Sequence, residues 1–531
     1  MKMRPGISNK GYGTLHILLP FFSTVVIGQS AVTLPVPETV PSDAVQAPPN
    51  FVSFGFETPY LDNFANEFSE NLVSSLAKRM SAKPIIRIGG TSGDRVLFNA
   101  DLKENKKCVE GACPFSHQTT WELGPGYFEA FKKFPNAKMT FQAPLRGGEA
   151  GKDDINIERT LNYVRNAYNA LGKERVESIA LGNEPSVYYK TADEYIKNAI
   201  KVEDAIISNL TLKGEDAKIF QALDTLSPAA QSHKPYAVQE VFAGPDGINK
   251  NGRIKVAAEH YYQEPGAGKE DWDANKQQGR VMNHTAIARR LDKYMQSMNS
   301  VQNVQYILSE TGGPMGVSVK DAAGFGAALW SVDFQLTALT RGIKRVVDSG
   351  RPIAEHTSWV PDDSTKDHNG GPQVRAAFSA DMFVADFIGK NPGRVVELKV
   401  EQTNHLLSAY AMYSSDNKKV TRLALTNLRL WDGSASGGNR GKQTFIVPVG
   451  NGVKEAKVRR LRADKGVGAT GFDVGGGGSN VTWAGEQWSF SLDNGKGHFP
   501  TGKAQVETVQ VKEGRVSIDV PDSEAVVVDL A

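Results

Sequence analysis

Residues 179–185 read Ile179-Ala180-Leu181-Gly182-Asn183-Glu184-Pro185, and this stretch predicts the fold of the chain around it. Three apolar residues run directly into a glycine, which is typical of a strand buried on both faces of a parallel sheet. Pro185 ends the strand because it has no N–H to donate to a neighbouring strand. A second stretch, Val304-Gln305-Tyr306-Ile307-Leu308-Ser309-Glu310-Thr311-Gly312-Gly313, has the same shape. We therefore expect Glu184 and Glu310 at the ends of two parallel strands.

Strand patterns and helical patterns alternate around these two stretches. Strands are predicted over residues 51–57, 83–90, 138–144, up to 184, 218–223, 254–262, up to 310, and 343–347. Helices are predicted over residues 64–80, 157–171, 191–209, 284–298 and 324–341. This alternation indicates a (β/α)8 barrel, in which the strand ends form the reactive rim. The alternative is an open doubly wound sheet, which needs a glycine-rich phosphate loop, and residues 88–93 are a poor version of one.

The texture of the sequence changes after residue 390. Short β-prone runs separated by turns rich in Gly, Ser and Asn follow, at residues 395–400, 406–412, 421–425, 444–447, 515–520 and 525–530. This spacing is typical of an antiparallel β-sandwich. We therefore predict a signal peptide over residues 1–30, a catalytic barrel over 45–390 and a C-terminal sandwich over 391–531.

The charge of the chain is nearly balanced. Its 531 residues include 61 basic and 59 acidic side chains, a net charge of +2. This balance gives no reason to expect a nucleic acid or an anionic membrane as partner, although a local basic cleft would not be visible in the total. We expect a monomer that acts on a small part of a larger substrate without a metal ion or cofactor.

The N-terminus has the pattern of a secretory leader. Lys2, Arg4 and Lys10 precede an apolar run over residues 15–27, and small residues follow it. A short membrane anchor is the alternative, but a bilayer span needs about 20 apolar residues, which is more than this run offers. The sequence therefore predicts an extracellular protein.

Two further features agree with secretion. The only cysteines, Cys108 and Cys113, are close in sequence, which in a secreted protein predicts a disulfide that closes a small loop. Glycosylation sequons begin at Asn209, Asn283 and Asn480.

Two carboxyl groups on facing strand ends are suited to cleavage of a glycosidic bond. A retaining glycosidase holds them about 5–5.5 Å apart, one as nucleophile and one as acid/base. The acid must keep its proton, so its pKa has to be raised, partly by the negative nucleophile beside it. Asn183, next to Glu184, is suited to hydrogen-bond a sugar 2-hydroxyl.

Asn-Glu-Pro at residues 183–185 and Ser-Glu-Thr-Gly-Gly at 309–313 resemble the strand ends of clan-A retaining glycosidases. Together with the lead-in, the helix that begins at Gly324 and the trailing sandwich, residues 45–531 resemble glycoside hydrolase family 79. Members of that family are β-glucuronidases, including fungal ones, and heparanase-like endo-enzymes. The resemblance implies Glu184 as acid/base, Glu310 as nucleophile and Asn183 as the contact to the 2-hydroxyl.

The resemblance also implies how a sugar carboxylate would be bound. In the glucuronidases of the family, tyrosine hydroxyls and a backbone amide hold it. Tyr261 or Tyr262, one of which is expected to point into the barrel, and the amide of Gly313 stand at matching positions. Met315 and Thr357 stand where further tyrosines are expected, which leaves the preference for glucuronate over glucose open.

Other polar residues of the rim have less specific readings. Glu57, at the end of the first strand, is placed to contact a distant hydroxyl, and Arg87 on the second strand to support the nucleophile. We interpret His260 as an inner-wall histidine. His356 and Trp359 either floor the sugar site or close the barrel.

The sequence therefore predicts a secreted retaining glycosidase that removes β-linked glucuronic acid, or its 4-O-methyl form, from glycans. A β-glucosidase or a heparanase-like endo-glycosidase with the same glutamates is the first alternative. A carbohydrate-binding protein without turnover is the second.

Overall fold

A computed structural model of the chain describes most of its length. The described residues are 31–110, 119–146, 155–225, 236–263, 281–313, 322–352, 356–366, 370–400, 405–416, 418–433, 440–450, 452–471 and 481–530. The predicted signal peptide, Cys113, Met315 and Asn480 lie outside these ranges.

Eight parallel strands close into a barrel. They are β1 Val52–Glu57, β2 Ile85–Gly89, β3 Lys138–Ala143, β4 Val176–Leu181, β5 Phe220–Thr225, β6 Ile254–Tyr262, β7 Gln305–Gly312 and β8 Val346–Gly350. The last strand pairs with the first, Val346 opposite Val52, so the sheet has no edge. The predicted (β/α)8 barrel is confirmed, and the closed ring excludes the open doubly wound sheet.

Helices cover the outside of the barrel. The long ones are α1 Glu67–Ala77, α2 Ile157–Leu171, α3 Ala192–Leu210, α4 His284–Ser300, α5 Phe325–Thr340 and α6 Ala376–Ile388, with a short helix at Val238–Phe242 after β5. Asn156, Thr191 and Asn283 cap the N-termini of α2, α3 and α4 by accepting a backbone N–H of the first turn. Of the helices in the described ranges, none is both long and apolar enough to cross a membrane.

A small sheet lies on the barrel where the sequence indicated an irregular loop. Its strands are Val96–Phe98, Lys106–Glu110 and Thr120–Leu123, with the last in the middle. Cys108 lies on this sheet opposite Trp121. The irregular stretch of sequence over residues 99–126 therefore carries two of the three strands of this sheet in its described part.

The second domain is built of two antiparallel layers. Its strands are β9 Arg394–Glu397, β10 Leu407–Tyr413, β11 Val420–Asn427, β12 Lys442–Pro448, β13 Glu455–Ala463, β14 Val481–Trp483, β15 Glu507–Gln510, β16 Arg515–Pro521 and β17 Glu524–Leu530. One layer runs β9-β10-β11-β17-β13-β14, and β12 pairs with β16 in the other. Side chains such as Phe445, Leu425 and Val528 fill the space between them, as in a sandwich.

The lead-in before the barrel belongs to this second domain. Val45–Gln46 pairs with β9, Val45 opposite Val395, and Val32–Thr33 pairs with β12, Val32 opposite Phe445. The barrel was predicted to begin at residue 45, but Val45–Gln46 is an edge strand of the sandwich. The lead-in therefore ties the start of the chain to its end.

A polar network joins the barrel helices to the sandwich. His284, at the start of α4, lies 3.1 Å from Asp333 Oδ1 through Nδ1 and 2.9 Å from Glu397 Oε1 through Nε2. Arg341 Nη1 lies 2.6 Å from Glu397 Oε2, and Tyr410 donates to Asp333. Burial acts to lower the pKa of His284, but Asp333 and Glu397 outweigh it and raise the pKa to about 10. The two domains are thus held by buried charges as well as by apolar packing.

Candidate active site

The two glutamates meet at the C-terminal rim of the barrel. Glu310 lies within β7, and Glu184 follows the end of β4 in a left-handed conformation with φ 46° and ψ 53°. The N–H of Glu184 donates to the backbone oxygen of Asp224 at 2.8 Å, which fixes this turn. A carboxylate oxygen of Glu184 lies within 4.8 Å of one of Glu310. The two carboxyl groups are therefore close enough to act on one bond.

Glu310 is surrounded by cationic and hydroxyl donors. Arg87 Nη1 lies 2.8 Å from Glu310 Oε2, and the hydroxyl of Tyr262 donates to Glu310 Oε1 at 2.6 Å. Burial acts to raise the pKa of Glu310, but the charges of His260 and Arg87 and the hydrogen bond from Tyr262 lower the pKa to about 2. Glu310 is therefore a carboxylate throughout the range in which proteins fold.

His260 stands between the acidic groups of the site. Its Nδ1 lies 3.0 Å from Glu184 Oε1, and its Nε2 lies 3.8 Å from Glu310 Oε2 and 3.9 Å from Asp224 Oδ1. Burial acts to lower the pKa of His260, but the charges of Glu310, Asp224 and Glu184 outweigh it and raise the pKa to about 9. The ring is therefore an imidazolium near neutral pH, with an N–H directed at Glu184.

Asn183 is held from two sides. The Nη2 of Arg87 donates to its side-chain oxygen, and its backbone N–H donates to Asp94 Oδ2 at 3.0 Å. Asp94 also accepts from the N–H of Leu145 at 2.8 Å and from the hydroxyl of Tyr188 at 3.2 Å. Because its oxygen is engaged by Arg87, the amide NH2 of Asn183 is the group left to donate to a substrate.

Comparison with known proteins agrees with this geometry. The sequence model described as the Glycosyl hydrolase family 79 C-terminal beta domain matches residues 409–527, within the sandwich. A protein of Neurospora crassa named Beta-glucuronidase is 28% identical, over 88% of this chain and 89% of that protein. One of Aspergillus niger with the same name is 26% identical, over 94% of this chain and 95% of that protein.

A solved structure extends the likeness to the whole fold. A 4-O-alpha-L-rhamnosyl-beta-D-glucuronidase from Fusarium oxysporum 12S superposes with a TM-score of 0.75 at 20% identity, over 94% of this chain and 100% of that one. The C-terminal domain thus matches the model of glycoside hydrolase family 79, and the whole chain is similar to β-glucuronidases, as the sequence predicted. The chain is an enzyme that cleaves glycosidic bonds.

The two tyrosines of β6 have different surroundings in this enzyme. Tyr262 points into the barrel and contacts Glu310. Tyr261 is fully buried on the outer side, where its ring packs against Phe334 and its hydroxyl donates to Gln263 at 2.6 Å. The prediction that allowed Tyr261 as a substrate contact was wrong, because neighbouring residues of a strand face opposite sides.

The backbone at the end of β7 is open. A methyl group at the Cα of Gly313 would meet no atom of the described residues within 4 Å, so the space beside this Cα is open. Thr357 is buried, and its hydroxyl donates to the backbone oxygen of Trp359 at 3.2 Å, so it does not take the place of a carboxylate-binding tyrosine.

Glu57 and the aromatic residues beyond β8 lie around the catalytic cluster. Glu57 ends β1 at the rim and accepts a hydrogen bond from Ser92. The ring of His356 packs edge-on against Tyr262 with centroids 5.3 Å apart. Trp359 is buried against Phe54 and donates to a serine of α1, so it closes the barrel rather than flooring the sugar site. A direct role of Glu57 in substrate binding stays a prediction.

Only some of the residues in the cysteine and sequon predictions are described. Cys108 is disulfide-bonded, and Cys113 lies outside the described ranges. Asn209, at the end of α3, accepts from Arg165 at 3.1 Å, and Asn283 caps α4. Whether Asn209, Asn283 or Asn480 carries a glycan stays a prediction.

Glu184, His260 and Glu310 together could offer ligand atoms to a metal ion. Their surroundings do not suit one. Arg87 already lies against Glu310, and the raised pKa of His260 keeps its ring protonated, whereas a metal ligand must be a neutral imidazole. Arg87 and His260 therefore already provide the positive charges that a metal ion would bring to these glutamates.

Sequence reasoning missed Asp94 and Asp224 and underrated His260. Asp224 had a signal, because Phe220-Gln221-Ala222-Leu223-Asp224 is again an apolar run that ends in a carboxylate. The predicted fifth strand stopped one residue before it. Asp94 lies in a 3₁₀ turn after β2, and nothing in its local pattern indicates that it contacts Asn183.

Proposed function

We propose that this enzyme is a retaining β-glucuronidase in which Glu310 is the nucleophile and Glu184 the acid/base. The supporting observation is the pair itself, two carboxylates within 4.8 Å of each other at the rim, one of them with its pKa lowered to about 2. The two curated relatives named Beta-glucuronidase, which align over nearly their whole length, support glucuronic acid as the sugar.

In the first step Glu310 attacks the anomeric carbon of the sugar. Glu184 gives its proton to the leaving oxygen as the glycosidic C–O bond breaks, and a covalent ester forms on Glu310. In the second step Glu184 takes a proton from water, the water oxygen attacks the same carbon, and the Glu310 carboxylate leaves. Two inversions give net retention at that carbon.

Arg87, Tyr262 and Asn183 serve these steps by position. Arg87 and Tyr262 bind one oxygen each of Glu310, which fixes the direction of attack. The amide of Asn183, held by Arg87, donates to the sugar 2-hydroxyl, a contact that strengthens in the transition state. The amide of Gly313 is the group we assign to the sugar carboxylate.

We also propose that the enzyme is secreted. The basic, apolar and small-residue segments of its first residues support this, as does the disulfide-bonded state of Cys108. The test is to express the full-length chain and to sequence the N-terminus of the protein recovered from the culture medium. We expect that N-terminus to lie after the proposed signal peptide.

The sugar assignment is tested by hydrolysis of p-nitrophenyl β-glucuronide against p-nitrophenyl β-glucoside. We expect turnover of the glucuronide with the β-anomer of free glucuronic acid as the first product seen by NMR. Preference for the glucoside would overturn the sugar and leave the mechanism. Release of the α-anomer first would overturn the retaining mechanism.

The roles of the glutamates are tested by substitution. Glu184→Gln and Glu310→Gln should each lower kcat by about 100- to 10,000-fold or more while the chain keeps its fold. Azide should restore turnover of an activated substrate in Glu184→Ala and give a β-glycosyl azide. Glu129→Gln, an exposed glutamate remote from the site, is the matched control and should behave as wild type.

A further inference from the structure

Asp224 is a carboxylate of the site that the steps above do not use. It ends β5, is completely buried, and accepts from Gln221 Nε2 at 2.9 Å through each oxygen. Its Oδ1 lies 3.3 Å from Arg87 Nη2 and 3.9 Å from His260 Nε2. Its backbone oxygen accepts the N–H of Glu184. Asp224 thus lies against Arg87, which pairs with Glu310, and near His260, which pairs with Glu184.

The charged groups around His260 come from every neighbouring strand. Glu184 faces its Nδ1 from β4, while Asp224 from β5 and Glu310 from β7 face its Nε2. Arg87 reaches Asp224 and Glu310 from β2. On the same strand as His260, Glu259 is turned outward and accepts from Tyr306. When Glu184 carries its proton, the inner cluster therefore has two cations, Arg87 and His260, and two anions, Asp224 and Glu310.

The proposed reaction moves one negative charge across this cluster. Before the first step the charge is on Glu310; once the ester has formed, Glu310 is neutral and Glu184, having given up its proton, is negative. His260 is the residue that approaches both, at 3.8 Å and 3.0 Å. An imidazolium that stays charged stabilises either state. Two cations, His260 and Arg87, face this one moving charge, so a second anion that takes no part in bond formation is needed to balance them, and Asp224 lies near both.

We propose that Asp224 is a positioning residue that keeps His260 charged through both steps and holds the Glu184 turn through its backbone oxygen. This inference rests on the roles proposed for Glu184 and Glu310. Asp224 keeps its negative charge while the other negative charge of the cluster moves between Glu310 and Glu184.

The test is Asp224→Asn. Asp224 has φ 45°, a conformation that asparagine tolerates as well as aspartate, so the turn is retained and only the charge is lost. The raised pKa of His260, about 9 in the wild type, should then fall. At about pH 8, where the ring is charged in the wild type and neutral in the variant, kcat should fall by about tenfold or more relative to the wild type.

A second readout does not depend on turnover. In the wild type, NMR of the His260 ring should show a protonated imidazole beyond about pH 8, and in Asp224→Asn the titration should move toward about pH 6.5. Glu203→Gln, which removes a buried carboxyl of α3 remote from the site, should change neither readout.

The outcomes separate this inference from the proposed function. A neutral His260 ring in the wild type at neutral pH would overturn the role of Asp224, even if the variant did not fold. An unchanged ring titration in a folded Asp224→Asn would do the same. Absence of turnover by the wild type on both aryl glycosides would contradict the proposed function and leave the ring titration to decide on Asp224.

Discussion

Tyr262 donates its hydroxyl proton to Glu310 Oε1 at 2.6 Å, on the side of the carboxylate opposite to Arg87. Each oxygen of Glu310 therefore has its own fixed donor. As the proposed nucleophile, Glu310 is held so that its carboxylate does not rotate, and it presents the same lone pair to the sugar in every turnover.

Tyr262→Phe should lower kcat by about a hundredfold, the effect expected for loss of one preorganised donor. Because the hydrogen bond helps to hold the pKa of Glu310 at about 2, the acidic limb of the pH profile should move to higher pH. The profile of kcat/KM checks both effects. Tyr261→Phe, which loses the same atom from the outer face of the strand, is the matched control and should keep full activity.

Asp94→Asn should disturb the strand end that carries Glu184. Asp94 accepts two backbone N–H groups, from Asn183 and Leu145, and an amide cannot accept both in the same geometry. A shift of the Glu184 turn should lower kcat by about a hundredfold with a smaller change in KM. Steady-state kinetics would show this. Asp101→Asn changes an exposed aspartate after the strand Val96–Phe98 and should leave both constants unchanged.

The His284 network should make stability depend on pH in two windows. The pKa of His284 is raised to about 10, so its contribution is present below about pH 6.5 and is lost as pH rises toward about 10. Burial acts to raise the pKa of Glu397, but His284 and Arg341 lower it to about 2, so its contribution is lost as pH falls from about 4.5 toward about 2.

His284→Asn should therefore destabilise the enzyme by about 3 kcal/mol near neutral pH, the effect of breaking a buried charge pair. The difference in Tm from the wild type should shrink above about pH 9, where the wild type loses the same interaction. Calorimetry across that range checks it. His498→Gln, an exposed histidine of the sandwich, should not alter the curve; a constant difference at all pH values would argue against the charge pair.

Glu203→Gln should stabilise the enzyme in alkaline solution. Glu203 is fully buried on α3, its oxygens have no hydrogen-bond partner among the described residues, and burial raises its pKa to about 8. Its folded pKa exceeds the unfolded value, so stability is complete below about pH 4.5 and is lost as pH rises through about 8. Tm should rise in the variant at about pH 9 and match the wild type at about pH 4.5. Glu215→Gln, exposed after the same helix, should show no such crossover.

The strands and the two glutamates could be predicted because each is a local pattern. Three apolar residues before Glu184 and five residues of mixed character before Glu310 are enough to indicate buried strands, and strand ends of a barrel meet at one rim. The sandwich followed in the same way from its turns. Its strands β13, β14 and β15 were missed; in β13 the charged residues of Glu455–Ala463 conceal the alternation.

The contacts between the rim residues could not be predicted, because they join strands distant in sequence. The approach of His260 to Glu184 depends on the left-handed turn at Glu184, a residue type with no special preference for that conformation. The turn exists because Asp224 on the next strand accepts its N–H. Likewise, only the closed barrel shows that Tyr262 and not Tyr261 faces the site.

The pairing of the lead-in with the sandwich has a consequence for the order in which the enzyme assembles. The strands at Val32–Thr33 and Val45–Gln46 are the first described part of the chain to leave the ribosome, and their partners β12 and β9 are made only after the whole barrel. The nascent chain must carry both short strands unpaired until the barrel has been made. A chain that stops before β12 would leave the first of them without its partner, and unpaired strands favour association with other chains.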